Sequence, residues 1–441
     1  MAVYQNREAY IPYSRQEIIE LCIADGKILD RDRQYFRGFC NILAAYYHFK
    51  LHHSLEVLKS NFVPFNPDLD LKQHSDRSDR LNIDRQENDL VATFEEILKQ
   101  ANYYPISKSK LESALLEDSV FDLKTEVDFN DFDRMVCYCR GDKVENITVK
   151  KWFFKKVERQ IDVYRRVVLL IKFKEEQHFK DKPVEKEELN FKPGKIYIYL
   201  YKNLSKLDIE FIFPNIKMSM SWKDRLLFGL PAIGAAIPVI LKVLPQMILI
   251  LGVIIYLTLG HQPIDGLEVK EEDVRNITPL LIAALSLIIT LGGFAFKQYT
   301  SYKNKQVKFQ KSVTETLFYR NIANNTGVFH YLIDAAEEEE CKEIILVYYH
   351  LLTSNQPLTP SQLDDRIEAW MEERFDTKID FDIDKPIRNL EAIKAKIKYT
   401  EGNTYAFKQV SLLKRDKALR CQVLPLQEAK QAIDYVWDNI F

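Results

Sequence analysis

Residues 243–260 read VLPQMILILGVIIYLTLG and residues 277–296 read ITPLLIAALSLIITLGGFAF; neither run contains a charge. A bilayer core of about 30 Å is matched by roughly 20 apolar residues at 1.5 Å rise. No polar stripe at helical spacing breaks either run, so neither shows the two-faced pattern of a helix on a globular surface. The two runs are expected to form a transmembrane hairpin around which the rest of the chain is arranged.

Residues 226–241 (LLFGLPAIGAAIPVIL) precede the first run and end at Lys242. Joined to that run they are too long for one ordinary crossing. Pro231 and Pro238 each weaken a continuous helix, whereas Pro245 falls in a first turn, where proline is tolerated. An interfacial or re-entrant piece is expected, with Lys242 snorkelling to the headgroups. The alternative keeps Lys242 inside the bilayer, where an ionisable group points to function.

Charge sets the expected orientation. Lys297, Lys303, Lys305, Lys308 and Lys311 follow the second run with no acid before Glu315, and Lys217, Lys223 and Arg225 precede the first. The loop over 261–276 has Asp265, Glu268, Glu271, Glu272 and Asp273 against Lys270 and Arg275. Lys and Arg of short loops stay inside, so both termini are expected on the cytoplasmic side. The opening residues carry no apolar signal core and no Arg/Ser-rich amphipathic presequence. The expected location is the bacterial cytoplasmic (inner) membrane, with an organellar inner membrane as the alternative.

A chain of 441 residues has room for two or three domains. A net charge of −2 argues against a polyanion as partner of the whole chain. The cysteines, Cys22, Cys40, Cys137, Cys139, Cys341 and Cys421, are scattered without CxxC or Cys/His ligand spacing, so no structural zinc is expected and the thiols should be reduced.

Ser14 and Glu17 form a capping-box pattern opening a short helix. Phe36, Phe39, Leu43, Tyr46, Tyr47 and Leu51 give helical spacing over about 33–60. His48 and His52 lie four apart on it, but Phe49 stands where HExxH needs its glutamate, so a metal site is not expected. Residues 1–126 are read as a helical region. From 127 to 225 the period changes to two: Met135, Cys137 and Cys139, then Val163, Val167, Leu169, Ile171 and Phe173, then Ile196, Ile198 and Leu200. This is the signature of an antiparallel sheet.

Membrane residues 226–296 are followed by a helical connector over 297–333, broken near Asn324, Asn325 and Gly327. Within 334–441 three helices precede a hairpin turning at Glu401-Gly402-Asn403-Thr404, the order of a winged helix. The second of these helices opens with a capping box at Thr359 and Gln362. The third carries Lys385, Arg388, Lys394 and Lys396, yet residues 334–441 hold 21 Asp and Glu against 15 Lys and Arg. Phosphate neutralisation dominates DNA affinity, so this part is expected to dock protein rather than nucleic acid. The expected fold class is an α+β membrane protein: helical region, antiparallel sheet, two-helix hairpin and winged-helix-like tail.

Residues 127–141 (VDFNDFDRMVCYCRG), 202–214 (KNLSKLDIEFIFP), 317–328 (LFYRNIANNTGV), 335–352 (AAEEEECKEIILVYYHLL) and the closing WDNIF carry a resemblance. The chain resembles the family of uncharacterised membrane proteins with domain of unknown function number 3754, the transmembrane protein 143-like proteins. The resemblance implies the same layout and brings no activity.

There is no P-loop, GxGxxG or GxSxG, so no cofactor is expected. The candidate functional polar residues are Asp128, Asp131, Arg140, Lys202, Asp208 and Glu210, grouped in the motif-like segments around the sheet, with Lys242 in or at the membrane. The leading expectation is a non-enzymatic scaffold or regulator, with the lipid bilayer and a protein partner or second copy as partners. An oligomeric pore or transport element is second, supported by Ala283, Ala284, Gly292 and Gly293, which permit close helix packing. A lipid-acting enzyme joining Arg140, Asp208 and Glu210 is third.

Overall fold

The computed structural model describes residues 8, 10–69, 77–107, 124–151, 155–180, 191–205, 211–219, 277–401 and 404–439, with 109, 111, 209 and 258. It is mixed helix and sheet. The chain divides into two compact units: Met1–Glu117, Asp128–Asn215 and Arg320–Phe441 in one, Asp118–Val127 and Ile216–Tyr319 in the other.

The first unit opens with α1 (Arg15–Ala24), whose Ser14 and Glu17 form the expected capping box, and α2 (Arg33–Phe62). A 3-10 turn over Val63–Phe65 leads to α3 (Arg77–Gln100) and the short β1 (Tyr104–Pro105). The second unit contributes β2 (Lys124–Glu126). Two long strands, β3 (Phe132–Lys151) and β4 (Lys155–Phe173), pair antiparallel from Phe132↔Phe173 to Lys151↔Lys155. After α4 (Glu176–Lys180) comes β5 (Ile196–Ser205). In the second unit, β6 (Lys217–Ser219) pairs with β2, and α5 runs from Ile277 to Arg320.

Back in the first unit, β7 (Asn321–Asn324) completes a five-stranded sheet in the order β1-β3-β4-β5-β7, antiparallel at every pairing. Asn325 follows at φ 48° and ψ −122°, a positive-φ conformation that residues with a side chain rarely adopt. Its amide donates to Ile198 O (2.7 Å) and its side-chain oxygen accepts from Ile198 N (3.1 Å), extending the strand pairing by one residue. From there α6 runs Thr326–Leu352, then α7 (Pro360–Phe375), capped by Thr359 and Gln362 as expected, and α8 (Asp384–Ala392). A hairpin of β8 (Lys394–Glu401) and β9 (Thr404–Ser411) turns between Glu401 and Thr404, followed by the β10 (Leu413–Arg415) and β11 (Cys421–Val423) ladder and α9 (Leu426–Asp438).

Two apolar cores are threaded by the same pair of helices. Val136, Tyr138, Val168, Leu170, Ile198 and Leu200 from one sheet face meet Leu51, Leu55 and Phe62 of α2, Leu90 and Phe94 of α3, and Val328, Phe329 and Leu332 of α6. Phe36, Phe39 and Leu43 of α2 meet Ile344–Leu351 residues of α6, together with Ile18 of α1, Leu363 of α7, Leu390 of α8 and Ile433 of α9. The first half of α2 therefore faces the second half of α6, and the two run antiparallel. Period-2 alternation in the strands and i, i+4 spacing in α2 place these side chains together.

The transmembrane hairpin is overturned. Among the described residues no helix is long and apolar enough to cross a membrane. Residues 277–296 form the opening of α5, which continues without a break through Lys297, Lys303, Lys308, Lys311 and Glu315. Absence of charge over a run does not by itself make a span. The membrane fold class falls with the hairpin. Lys242 and the interfacial piece over 226–241 lie outside the described residues, and so does the run over 243–260 apart from Thr258.

Candidate functional site

The densest polar arrangement sits on α6 where the two cores meet. Glu339, Glu340, Lys342 and Glu343 are all buried, and Glu337 and Glu338 are half-buried. At 100° per residue these six positions fan around the whole helix, so between them they reach several different elements. A buried charge must be paired and hydrogen-bonded or it costs several kcal/mol, and each of these is.

Glu337 takes Arg15 Nη1 at 2.9 Å and lies 2.8 Å from His48 Nδ1; Glu338 accepts the Arg15 amide. Glu339 pairs with Lys342 (3.0 Å) and Arg140 (3.5 Å) and accepts the Ile11 amide at 3.3 Å. Lys342 Nζ also donates to Ile11 O (2.8 Å) and Tyr13 O (3.0 Å). Glu340 accepts from Asn389 Nδ2 at 2.5 Å and faces Lys385 at 3.4 Å. Glu343 accepts from Asn102 Nδ2 at 2.7 Å and faces Lys385 at 3.2 Å, and Lys385 donates to Gln100 O at 3.0 Å.

Burial pushes the Glu343 carboxyl up to about 7 despite Lys385 beside it. Burial alone would lower Lys385, but Glu343 and Glu340 hold it above its ordinary value. The cluster ties α1, α2, α3, α8 and β3 to one helix.

Glu8 and residues 10–14 cross this cluster as a strap without helix or ladder pairing of their own beyond a bridge at Glu8. The Arg140 guanidinium lies 5.0 Å from the ring centres of both Tyr10 and Tyr103, and its Nη1 donates to Ala101 O at 3.1 Å. Burial raises the Tyr103 hydroxyl to about 12. Arg165 donates to the Tyr10 hydroxyl and pairs with Glu8 at 3.2 Å. Glu8 also forms a parallel β-bridge with Ile379: its amide donates to Lys378 O (3.0 Å) and its carbonyl accepts from the Asp380 amide (3.0 Å). A cleft of about 500 Å³ remains beside the strap, lined in part by Tyr331, Asp334, Glu338 and Arg140.

The structure separates the residues that the sequence grouped. Arg140 belongs to this cluster. Asp131 and Asp128 lie at the other end of the motif, nine or more residues back along extended chain, roughly 30 Å for nine residues. There the buried Asp131 lies 3.2 Å from His178 Nε2, and Asn215 Nδ2 donates to Asp131 Oδ2 (3.2 Å) and Asp128 O (2.8 Å). The Asp128 carboxylate accepts the Asn130 amide at 3.0 Å and caps the turn into β3. This corner is closed by Phe129, Phe132, Phe173 and Phe213 in mutual ring contact. Lys202 is exposed on β5, and Asp208 and Glu210 lie outside the described residues.

Glu339, Lys342 and Glu343 were not singled out in the sequence, and Lys385 was noted only as one of four cations on or after the third helix of the tail. The one available signal was a run of glutamates inside an otherwise apolar helix.

All six cysteines are buried free thiols, and burial raises those of Cys22, Cys40, Cys137, Cys341 and Cys421. A raised thiol is a poor nucleophile. Among the described residues no group of three His, Cys, Asp or Glu is placed to hold a metal ion. The arrangement on α6 fastens elements together rather than presenting a reactive atom. No solved structure matches the chain. Residues 164–327, from β4 to the first turn of α6, match the family described as Protein of unknown function (DUF3754).

Proposed function

We propose that the protein is a non-enzymatic scaffold that assembles with a second copy through α5. The observation that carries this reading is the row Ile282, Leu285, Ile289 and Phe296, exposed by 61%, 59%, 64% and 71%. Steps of three, four and seven residues keep the row on one face and match the a and d positions of a helix-pairing seam. Gly292 and Gly293 fall between Ile289 and Phe296, and a Cβ at either would meet nothing within 4 Å, so this part of the helix permits close backbone approach. Contiguous exposed apolar side chains mark interaction sites. Burying each such side chain is worth about 1.5–3 kcal/mol before the cost of association.

Light scattering on the purified full-length protein tests it. The wild type is expected to be oligomeric, and Leu285→Glu with Ile289→Glu to shift it toward monomer. A wild-type monomer at all concentrations, or an oligomer indifferent to both substitutions, removes the reading.

A further inference from the structure

We propose that the groove holding Glu8 and residues 10–14 is an exchange site: it accepts, in trans, a peptide segment of aromatic–aliphatic–proline–aromatic chemistry supplied by a partner protein. The chain's own Tyr10-Ile11-Pro12-Tyr13 occupies the groove in cis. This site is separate from α5 and does not depend on the scaffold reading.

The strap is held largely through its backbone. Lys342 donates to the carbonyls of Ile11 and Tyr13, Glu339 accepts the Ile11 amide, and the β-bridge to Ile379 uses both the amide and the carbonyl of Glu8. Recognition by backbone hydrogen bonds plus pockets for a few side chains is how sheet edges and grooves bind extended peptides from other chains. Sequence selection comes from the side chains: an aromatic stacks on Arg140 at Tyr10, an aliphatic is buried at Ile11, and the Tyr13 ring meets Phe375.

The groove does not tolerate being empty. Glu339 and Lys342 are buried, and without the backbone of the strap Lys342 loses two acceptors and Glu339 a donor. Buried groups left unpaired are costly, so release of the strap is favoured only when another backbone replaces it. The cleft of about 500 Å³ beside the strap, between it and Tyr331, Asp334 and Glu338, gives an incoming segment space to begin that replacement.

The test uses a fluorescein-labelled synthetic peptide spanning residues 7–15 and the full chain. A tethered segment competes at millimolar effective concentration, so the intact chain is expected to bind the peptide weakly. Two separate variants loosen only the competitor: Glu8→Pro removes the amide that bonds Lys378 O, and Tyr10→Ala removes the ring over Arg140. Each should bind the peptide at least tenfold more tightly than the intact chain, by fluorescence anisotropy. Adding Lys342→Met to either should abolish the gain while circular dichroism shows the fold retained. If a folded loosened variant binds no better than the intact chain, or binds equally well with Lys342→Met, the exchange site is overturned. Two loosening variants are used so that one misfolded protein leaves the other to decide.

Discussion

Helices α5 and α6 invert the usual distribution of polarity in opposite senses. Helix α6 takes Glu339, Glu340, Lys342 and Glu343 into the interior, whereas α5 presents Ile282, Leu285, Ile289 and Phe296 to the outside. The difference lies in where the partners are. Every buried charge on α6 has its counterpart within the same chain, most of them on elements distant in sequence. Among the described residues nothing covers the exposed apolar row of α5. Charge can be buried when pairing is complete, and apolar surface is kept exposed when something else covers it.

The sharpest way to break this contrast is to remove one partner from α6. Lys342→Met leaves Glu339 buried beside Arg140 alone and strips two carbonyls of their donor. Breaking a buried pair from one side costs about 3–5 kcal/mol, and urea unfolding of the variant should show a loss of that size. A loss below about 1 kcal/mol would mean the cluster is solvated and that α6 is an ordinary surface helix at this point.

Next in size is the pH dependence. Glu343 is raised from 4.5 to about 7 by burial, so the folded state holds its proton more tightly than the unfolded state. Its contribution is fullest below pH 4.5 and falls as pH rises to 7, by about 3 kcal/mol. His350 works in the opposite sense. Burial, then Arg366 and Lys27, pull it from 6.5 down to about 3, so its contribution is present above 6.5 and is lost as pH falls toward 3. Between 4.5 and 6.5 the two slopes oppose. Glu343→Gln should therefore expose a stability that falls on acidification through this window, and His350→Phe one that falls on alkalinisation. Chemical denaturation at pH 4.5, 5.5 and 6.5 measures both, and parallel profiles for the two variants would contradict the assignment.

What was legible in the sequence was local. The capping boxes at Ser14 and Thr359, the alternation in β4 and β5, and the turn between Glu401 and Thr404 are each set by neighbours a few residues away, and each is present. What was not legible depends on distant partners. Nothing near Glu339 announces Arg140, and nothing near Glu343 announces Asn102, because a glutamate on a helix has the same local pattern whether it meets water or a buried cation. Grouping Asp131 with Arg140 failed for a related reason: shared motif position says nothing about the length of strand between them. Strand β7 was read only as a helix break, since four residues ending in Asn324 carry no alternation of their own. The apolar run over 277–296 misled because absence of charge alone does not make a span, and among the described residues no helix is long and apolar enough to cross a membrane.

Asn325 gives a smaller and more local effect. Its side chain bonds the Ile198 amide and donates to Asp68 at 2.8 Å, while its backbone sits at φ 48°. Asn325→Gly keeps the backbone conformation and removes both side-chain bonds, so about 1–2 kcal/mol should be lost. Asn325→Ala loses the same bonds but keeps the Cβ at positive φ that the glycine variant sheds, and should cost more than the glycine variant. Equal losses would show that the side-chain bonds, rather than the backbone, set this junction between β7 and α6.

The smallest stability change is expected on α5, and that is what makes it informative. Leu285→Glu places a charge where the side chain is already 59% exposed, and surface substitutions away from special features usually stay within about 0.5 kcal/mol. Unfolding in urea at low protein concentration should therefore be almost unchanged, while association falls. A covered position would behave in the reverse way, losing stability on its own account because a charge had been buried without a partner. The pair of measurements thus separates a row that waits for an external surface from one packed against its own chain. A large loss of stability in a protein that remains monomeric would place Leu285 in an interior and end the contrast with α6.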